Sequence, residues 1–224
     1  TLGTLPSTVV NTHWHADHSG GNDQLTEAAE IIAHENVLKL LSRPHEGFGL
    51  TGPDSHHAYD PRDKLGLPET VYDGLLTLAP MKSGGLVEVV HFPNAHTDGD
   101  SVVFIDDEKV VAAGDIIWPG AFPFIDIHNG GNAIGLLAAI DVILARTNPQ
   151  SIIVGGHQDP MSHAELAAYR QEIADTIEII RTAKAEETSL DALIAEGLPR
   201  QYANLSGDIV PEAVWISMVY QSLE

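Results

Sequence analysis

"NTHWHADHSGGN", residues 11–22, sets three histidines and an aspartate within six positions and closes on paired glycines. The β-branched run before it, "STVVNT" (7–12), predicts a short strand ending at Thr12, and "NDQLTEAAE" (22–30) predicts a helix after it. The motif therefore sits in a strand-to-helix loop. In extended chain, side chains two apart point the same way, so His13 and His15 can face one metal while Trp14 turns to the core. Asp17 and His18 follow where the backbone curls into the helix and can face a second metal. Gly20 and Gly21 are expected to supply positive φ at that curl.

Two metals need more ligands than these four. Working outward, the sequence repeats one pattern three times: His96 in "PNAHTDGD" follows the strand-like "LVEVVHF", Asp115 in "AAGDIIW" follows "KVVAAG", and His157 in "VGGHQDP" follows "SIIVGG". Each candidate lies just past the carboxyl end of a predicted strand, where loops at one sheet edge converge and sites are built.

Composition narrows the chemistry. The chain has 224 residues, 43% of them hydrophobic, enough for one large domain, residues 1–224, with a sizeable core. Eleven basic against 32 acidic residues give a net charge of −21, which disfavours binding to a phosphate backbone, so nucleic acid is not an expected partner. There is no cysteine, so any metal must be held by His and carboxylates. The longest apolar runs, such as "IGLLAAIDVILA", are amphipathic or too short to cross a bilayer, and a soluble protein without a membrane partner is expected.

The remaining chain reads as a strand at "IIAH", a helix at "ENVLKLLS", and a long irregular loop from Arg43 to about Pro68. A β-rich middle follows: "LLTLA", "LVEVVHF", "SVVFID" and "KVVAAG", with Asp106-Asp107 turning a hairpin. "NAIGLLAAIDVILART" has helical spacing and "SIIVGG" reads as a buried strand. Ser162 with Glu165 forms a capping box for a helix to about Glu187, Thr188 with Asp191 repeats that signature, and Pro211 opens a last helix.

In this order, "THWHADHSGGN", "HTDGDS", "AAGD" and "GGH" resemble the metal motifs of the metallo-β-lactamase superfamily, over about Thr8 to Arg181. In closer detail "NTHWHADHSGGN", "PNAHTDGDSVVF" and "GDIIWPGAFPFID" resemble a bacterial branch usually exported to the periplasm, which implies a periplasmic or secreted location. The fold implied is α/β, an αββα four-layer sandwich. Members carry leading strands before the H-x-H-x-D-H loop, whereas this chain offers about one. The expectation is that upstream residues complete the sheet, or that a second copy does so in a homo-oligomer.

The ligands implied are His13, His15 and His96 on one zinc, Asp17, His18 and His157 on a second, and Asp115 bridging; Mn or Fe suit the same donors. The implied reaction is hydrolysis of an ester, lactone, thioester or amide bond, β-lactam included, by a water activated between the metals, with Asp17 as the catalytic group that orients it and moves its proton. A carboxylate in place of His15 would point to diiron, oxygen-reducing relatives. A small-molecule substrate is expected, with Trp118, Phe122 and Phe124 of "WPGAFPFID" as a candidate pocket wall, core packing being the alternative. The competing readings are a non-catalytic metal-binding subunit and a nuclease-type phosphoesterase. The other histidines are read as structural or solvated, although adjacent His56 and His57 could catch a surface metal.

Overall fold

The computed structural model describes residues 6–42, 45–46, 58–59, 66–78, 85–105 and 109–223. The run before the motif forms β1 (Thr8–Val10), the motif itself contains a single helical turn, α1 (Ala16–Ser19), and the chain returns as β2 (Glu30–His34), parallel to β1. His34 caps α2 (Glu35–Leu41), its Nδ1 accepting from the Asn36 amide. Two short strands, β3 (His45–Glu46) and β4 (Ala58–Tyr59), pair antiparallel within the stretch expected to be an irregular loop. Most of that stretch, including His56 and His57, lies outside the described residues, as does the Asp106-Asp107 turn. Then β5 (Thr70–Tyr72) joins β2 in parallel, giving a three-stranded sheet in the order β1-β2-β5.

The β-rich middle forms β6 (Leu75–Leu78), β7 (Val87–Phe92), β8 (Asp100–Ile105) and β9 (Val110–Gly114), an antiparallel meander. After α3 (Ala133–Arg146), β10 (Ile152–Gly155) returns parallel to β9, as a helical crossover requires. A short β11 (Met161–Ser162) closes this six-stranded sheet and leads into α4 (His163–Ala185) through the expected capping box. Two more helices follow, α5 (Leu190–Glu196) and α6 (Glu212–Ser222). No helix among the described residues is long and apolar enough to cross a membrane.

Side-chain alternation explains the layering. On β7, Val89 faces one core and Val90 and Phe92 the other; on β8, Val103 faces one, and Val102 and Phe104 the other. Between the two sheets lie Val10, Ile32, Tyr72, Leu76, Val89 and Val103. The outer face of the six-stranded sheet buries against α3, α4 and α6 through Ile140, Ile143, Ile153, Ile173 and Trp215. Each such side chain withdrawn from water contributes about 1.5–3 kcal/mol. The outer face of the small sheet is covered by α2 and by Trp14, packed on Ala33, Val37 and Leu41. Helices, two sheets and helices again make the αββα sandwich.

Three local expectations are corrected. The helix placed at residues 22–30 is only a 3-10 turn over Asn22–Gln24 and a further turn to Ala29, because the chain must straighten at Glu30 to pair with β1. Gly20 and Gly21 have φ of −63° and −89°, so the curl is made by α1 and not by positive φ. Ser189, not Thr188, caps α5: the Thr188 amide is already spent on Ala183 O at the end of α4. Pro211 stands at the N-cap of α6, immediately before its first helical residue.

Candidate metal centre

Strand direction brings the ligands together. β7 and β9 both run antiparallel to β8, and β10 runs parallel to β9, so β7, β9 and β10 end at the same sheet edge. His96, Asp115 and His157 follow those three ends. The motif loop is delivered to that edge by the other sheet: Ser101 N donates to Thr12 O at 2.7 Å, and Tyr72 Oη donates to Ser101 Oγ at 2.7 Å. Two buried amides clasp the loop at its ends, Asn11 Nδ2 donating to Asn22 Oδ1 at 3.0 Å and Asn22 Nδ2 to Asn11 Oδ1 at 2.8 Å.

All seven candidate ligands meet, in two groups. His13, His15, His96 and Asp115 each offer one donor atom within 4.8 Å of the others, and so do Asp17, His18 and His157. Asp115 touches both groups: Oδ2 lies 3.9 Å from His13 Nε2, 3.8 Å from His96 Nε2 and 3.3 Å from His157 Nε2, while Oδ1 lies 3.2 Å from His18 Nε2. Asp17 Oδ2 stands 3.3 Å from His18 Nε2 and 3.4 Å from His157 Nε2. Donors on a tetrahedral zinc with bonds near 2.05 Å are about 3.3 Å apart; the separations among Asp17, His18, His157 and Asp115 match this, while Asp115 stands about 0.5 Å farther from His13 and His96.

Each inner imidazole is oriented from behind. His96 Nδ1 donates to Phe124 O at 2.7 Å, His15 Nε2 donates to Asp126 Oδ2 at 3.0 Å, and His13 Nδ1 sits 3.1 Å from Thr12 Oγ1. These partners select the tautomers that turn lone pairs on His15 Nδ1 and His96 Nε2 towards each other, 2.9 Å apart. Two facing lone pairs repel unless a cation lies beside them. His13 Nε2 is buried without a hydrogen bond and would be costly in a cluster that held nothing. The donor set therefore fits metal.

Electrostatics separates the groups. Burial pushes the His13 imidazole well below its usual value and His96 down to about 4, so both are neutral and ready to ligate at pH 7. Burial also works against the Asp115 carboxylate, but hydrogen bonding with His157 and His18 and the proximity of His96 and His13 hold it far below the carboxylate range. His18, despite partial burial, is raised to about 9 by Asp115 and Asp17. The Asp17 carboxylate is lowered chiefly by its hydrogen bond with His18, and its side chain is 51% exposed while Asp115 is only 4% exposed.

A cavity of about 330 Å³ opens over the cluster, lined by His15, Ala16, Asp17, Asp115, Trp118, Phe124, His157 and Ile209. Trp118 lies over His157 with ring centroids 4.5 Å apart. Phe122, expected as a third wall residue, does not line it: it is fully buried and stacks on Trp215 at 5.1 Å in the helical core. Asn11, Asn22, Asp126 and Ile209 are site residues that sequence reasoning missed. The Asn residues bracket the motif and could have been flagged; Asp126 ends the aromatic stretch whose apolar residues drew attention instead.

Gly114 and Gly156 are needed by this packing. At Gly114, φ is +53° and a Cβ would meet Thr12 Oγ1 at 2.8 Å; at Gly156 it would stand 1.8 Å from Asp115 Oδ1. These are the glycines of "AAGD" and "GGH".

Comparison with known proteins agrees with the fold. Probable metallo-hydrolase YqgX of Bacillus subtilis is 24% identical over 164 residues, 69% of this chain and 70% of the relative. Among solved structures, the inverting sec-alkylsulfatase Pisa1 from Pseudomonas sp. superposes with a TM-score of 0.68 at 17% identity, over 100% of this chain but only 42% of that one. TTHA1623 in a di-iron-bound form gives 0.56 at 24% identity, covering 75% of this chain and 77% of the other. The model of the family described as "Metallo-beta-lactamase superfamily" matches residues 6–172, three quarters of the sequence, and the chain belongs to that superfamily of metallo-hydrolases.

Proposed function

We propose that this protein is a dinuclear zinc hydrolase that cleaves an ester, lactone, thioester or amide bond in a small molecule. The observation that carries the reading is the convergence of His15 Nδ1 and His96 Nε2 at 2.9 Å beside a carboxylate, Asp115, that also reaches His18 and His157. His13, His15 and His96 would hold one ion, Asp17, His18 and His157 the other, and Asp115 both. When bound, zinc lowers the pKa of water towards ~7 and polarises the scissile carbonyl.

The chain's own residues do the rest. Asp17 is ionised at neutral pH because His18 stabilises its carboxylate, and it stands half-exposed at the cavity mouth. In this reading it accepts the proton of an attacking water and returns it to the leaving group. Trp118 and Phe124 exclude bulk water from one side of the cluster. His15, where diiron oxygen-reducing relatives would carry a carboxylate, favours zinc; iron is the competing occupant, since one structural neighbour is described in a di-iron-bound form.

The test is elemental analysis of the purified chain with turnover of a panel holding one ester, one lactone, one thioester and one β-lactam. Two zinc ions per chain and hydrolysis of at least one substrate, both lost on chelation and in His96→Ala, are expected. Stoichiometric zinc with no turnover on any of them would leave a non-catalytic metal-binding subunit, and full zinc and full activity in His96→Ala would remove the ligand assignment.

A further inference from the structure

The cavity over the cluster has two kinds of wall. His15, Asp17, Asp115 and His157 belong to the ligand groups, and the remaining lining residues are Ala16, Trp118, Phe124 and Ile209, all apolar. Among the described residues, no lysine or arginine lines it. Among the described lining residues, no side-chain cation would meet an anionic substrate group apart from the ions held by the ligand groups, and such a group would approach past the half-exposed Asp17 of a chain with net charge −21.

Ile209 is the unusual member. It is 56% exposed, a large apolar side chain held out to water, yet its immediate neighbour Val210 is 1% exposed. The loop that presents it is fastened on both sides: Gly207 N donates to Val210 O at 3.1 Å, Glu212 N to Ser206 Oγ at 3.0 Å, and Phe122 N to Leu205 O at 2.7 Å just before it. Ile209 thus occupies a held position at the mouth of the cavity. It also lies beyond residues 6–172, so the family-matched portion supplies the ligand groups with Trp118 and Phe124 while the C-terminal segment adds Ile209.

We infer that Ile209, with Trp118 and Phe124, forms an acyl-chain wall, making Ile209 a specificity-determining residue that selects uncharged esters carrying an aliphatic chain over anionic ones. The inference rests on the hydrolase reading above. A chain laid against this wall gains about fourfold in binding for each methylene fully withdrawn from water.

The experiment uses the zinc-loaded full chain with p-nitrophenyl acetate, butyrate and octanoate, and the p-nitrophenyl monoester of succinate as the anionic counterpart of butyrate. Expected are a rise in kcat/KM of about tenfold from acetate to butyrate, a further rise to octanoate, and at least tenfold poorer turnover of the succinate ester. Ile209→Ala should compress the octanoate-to-acetate ratio several-fold, mainly through KM, with zinc content unchanged. A flat chain-length series, preference for the succinate ester, or an unaltered ratio in Ile209→Ala would overturn the inference while leaving the hydrolase reading standing. If no ester is turned over, binding of octanamide to the metal-free protein, read by tryptophan fluorescence, decides: saturable binding weakened by Ile209→Ala supports the wall, and no binding refutes it.

Discussion

Replacing Gly156 by alanine adds one methyl group beside the metal centre, and its effect can be worked from the structure. The new Cβ would stand 1.8 Å from Asp115 Oδ1 and 3.0 Å from Asp115 Cγ, where ordinary contact begins at 3.4 Å, so something must yield by about 1.6 Å. The backbone has little room to retreat, because Gly156 N is bonded to Gly114 O at 2.8 Å and a Cβ at the preceding Gly155 would lie 2.3 Å from Ile117 O. The carboxylate must therefore turn, away from the four histidines, His13, His18, His96 and His157, that it reaches at 3.2–3.9 Å. A displacement of about 1 Å in a reacting constellation costs on the order of 100-fold in rate, whereas overpacking costs about 1–3 kcal/mol of stability. Gly156→Ala should keep its circular dichroism, bind at most one zinc ion per chain, and lose at least about 100-fold in kcat/KM. Gly21→Ala is the control, since a Cβ there meets nothing within 4 Å and φ is an ordinary −89°. Two tightly held zinc ions and kcat/KM within about threefold of wild type in Gly156→Ala would refute the shared role of Asp115.

Asp126→Ala removes the carboxylate that accepts from His15 Nε2 at 3.0 Å, and zinc affinity measured against a competing chelator should fall by about 10–100-fold, with Asp126→Asn intermediate. His34 is stacked on His91 with centroids 3.4 Å apart, and burial together with His91 lowers it to about 4. Its unfolded value is near 6.5, so its neutral form stabilises the fold fully above pH ~6.5 and that contribution is lost as pH falls towards 4. Urea titrations across this window should show stability falling with pH, with a shallower slope in His34→Asn, which keeps a capping side chain for α2; an identical slope would exclude the stack as the cause. Ser162→Ala breaks the capping box of α4 and should cost about 1 kcal/mol, or about 2–4 °C in Tm, without changing zinc content.

The candidate ligands were legible because their chemistry is written in residue type: His and Asp just past strand ends are marked wherever the strands lie. Their partners were not. Asn11 and Asn22 clasp each other only because the loop doubles back, Asp126 reaches His15 across 111 positions of sequence, and Ile209 arrives from a C-terminal segment far along the chain from every ligand motif. Most strands and helices followed from periodicity and their αββα layering from the resemblance carried by the metal motifs, but β5, three residues long between Pro68 and Gly74, carries too little pattern to read. Phe122 shows the limit of aromatic clustering: of the three ring residues in "WPGAFPFID", two face the cavity and the middle one faces Trp215.

The uneven burial of the two ligand groups has a kinetic meaning. His13, His15 and His96 are at most 1% exposed, while Asp17 and His157 border the cavity. His15 and Asp115 open the inner group onto the same cavity, so on the two-ion reading proposed above both ions would enter and leave by one mouth. An ion in the more deeply buried inner group should then be released more slowly than one in the more exposed outer group, and chelation should empty the centre in two phases of different rate.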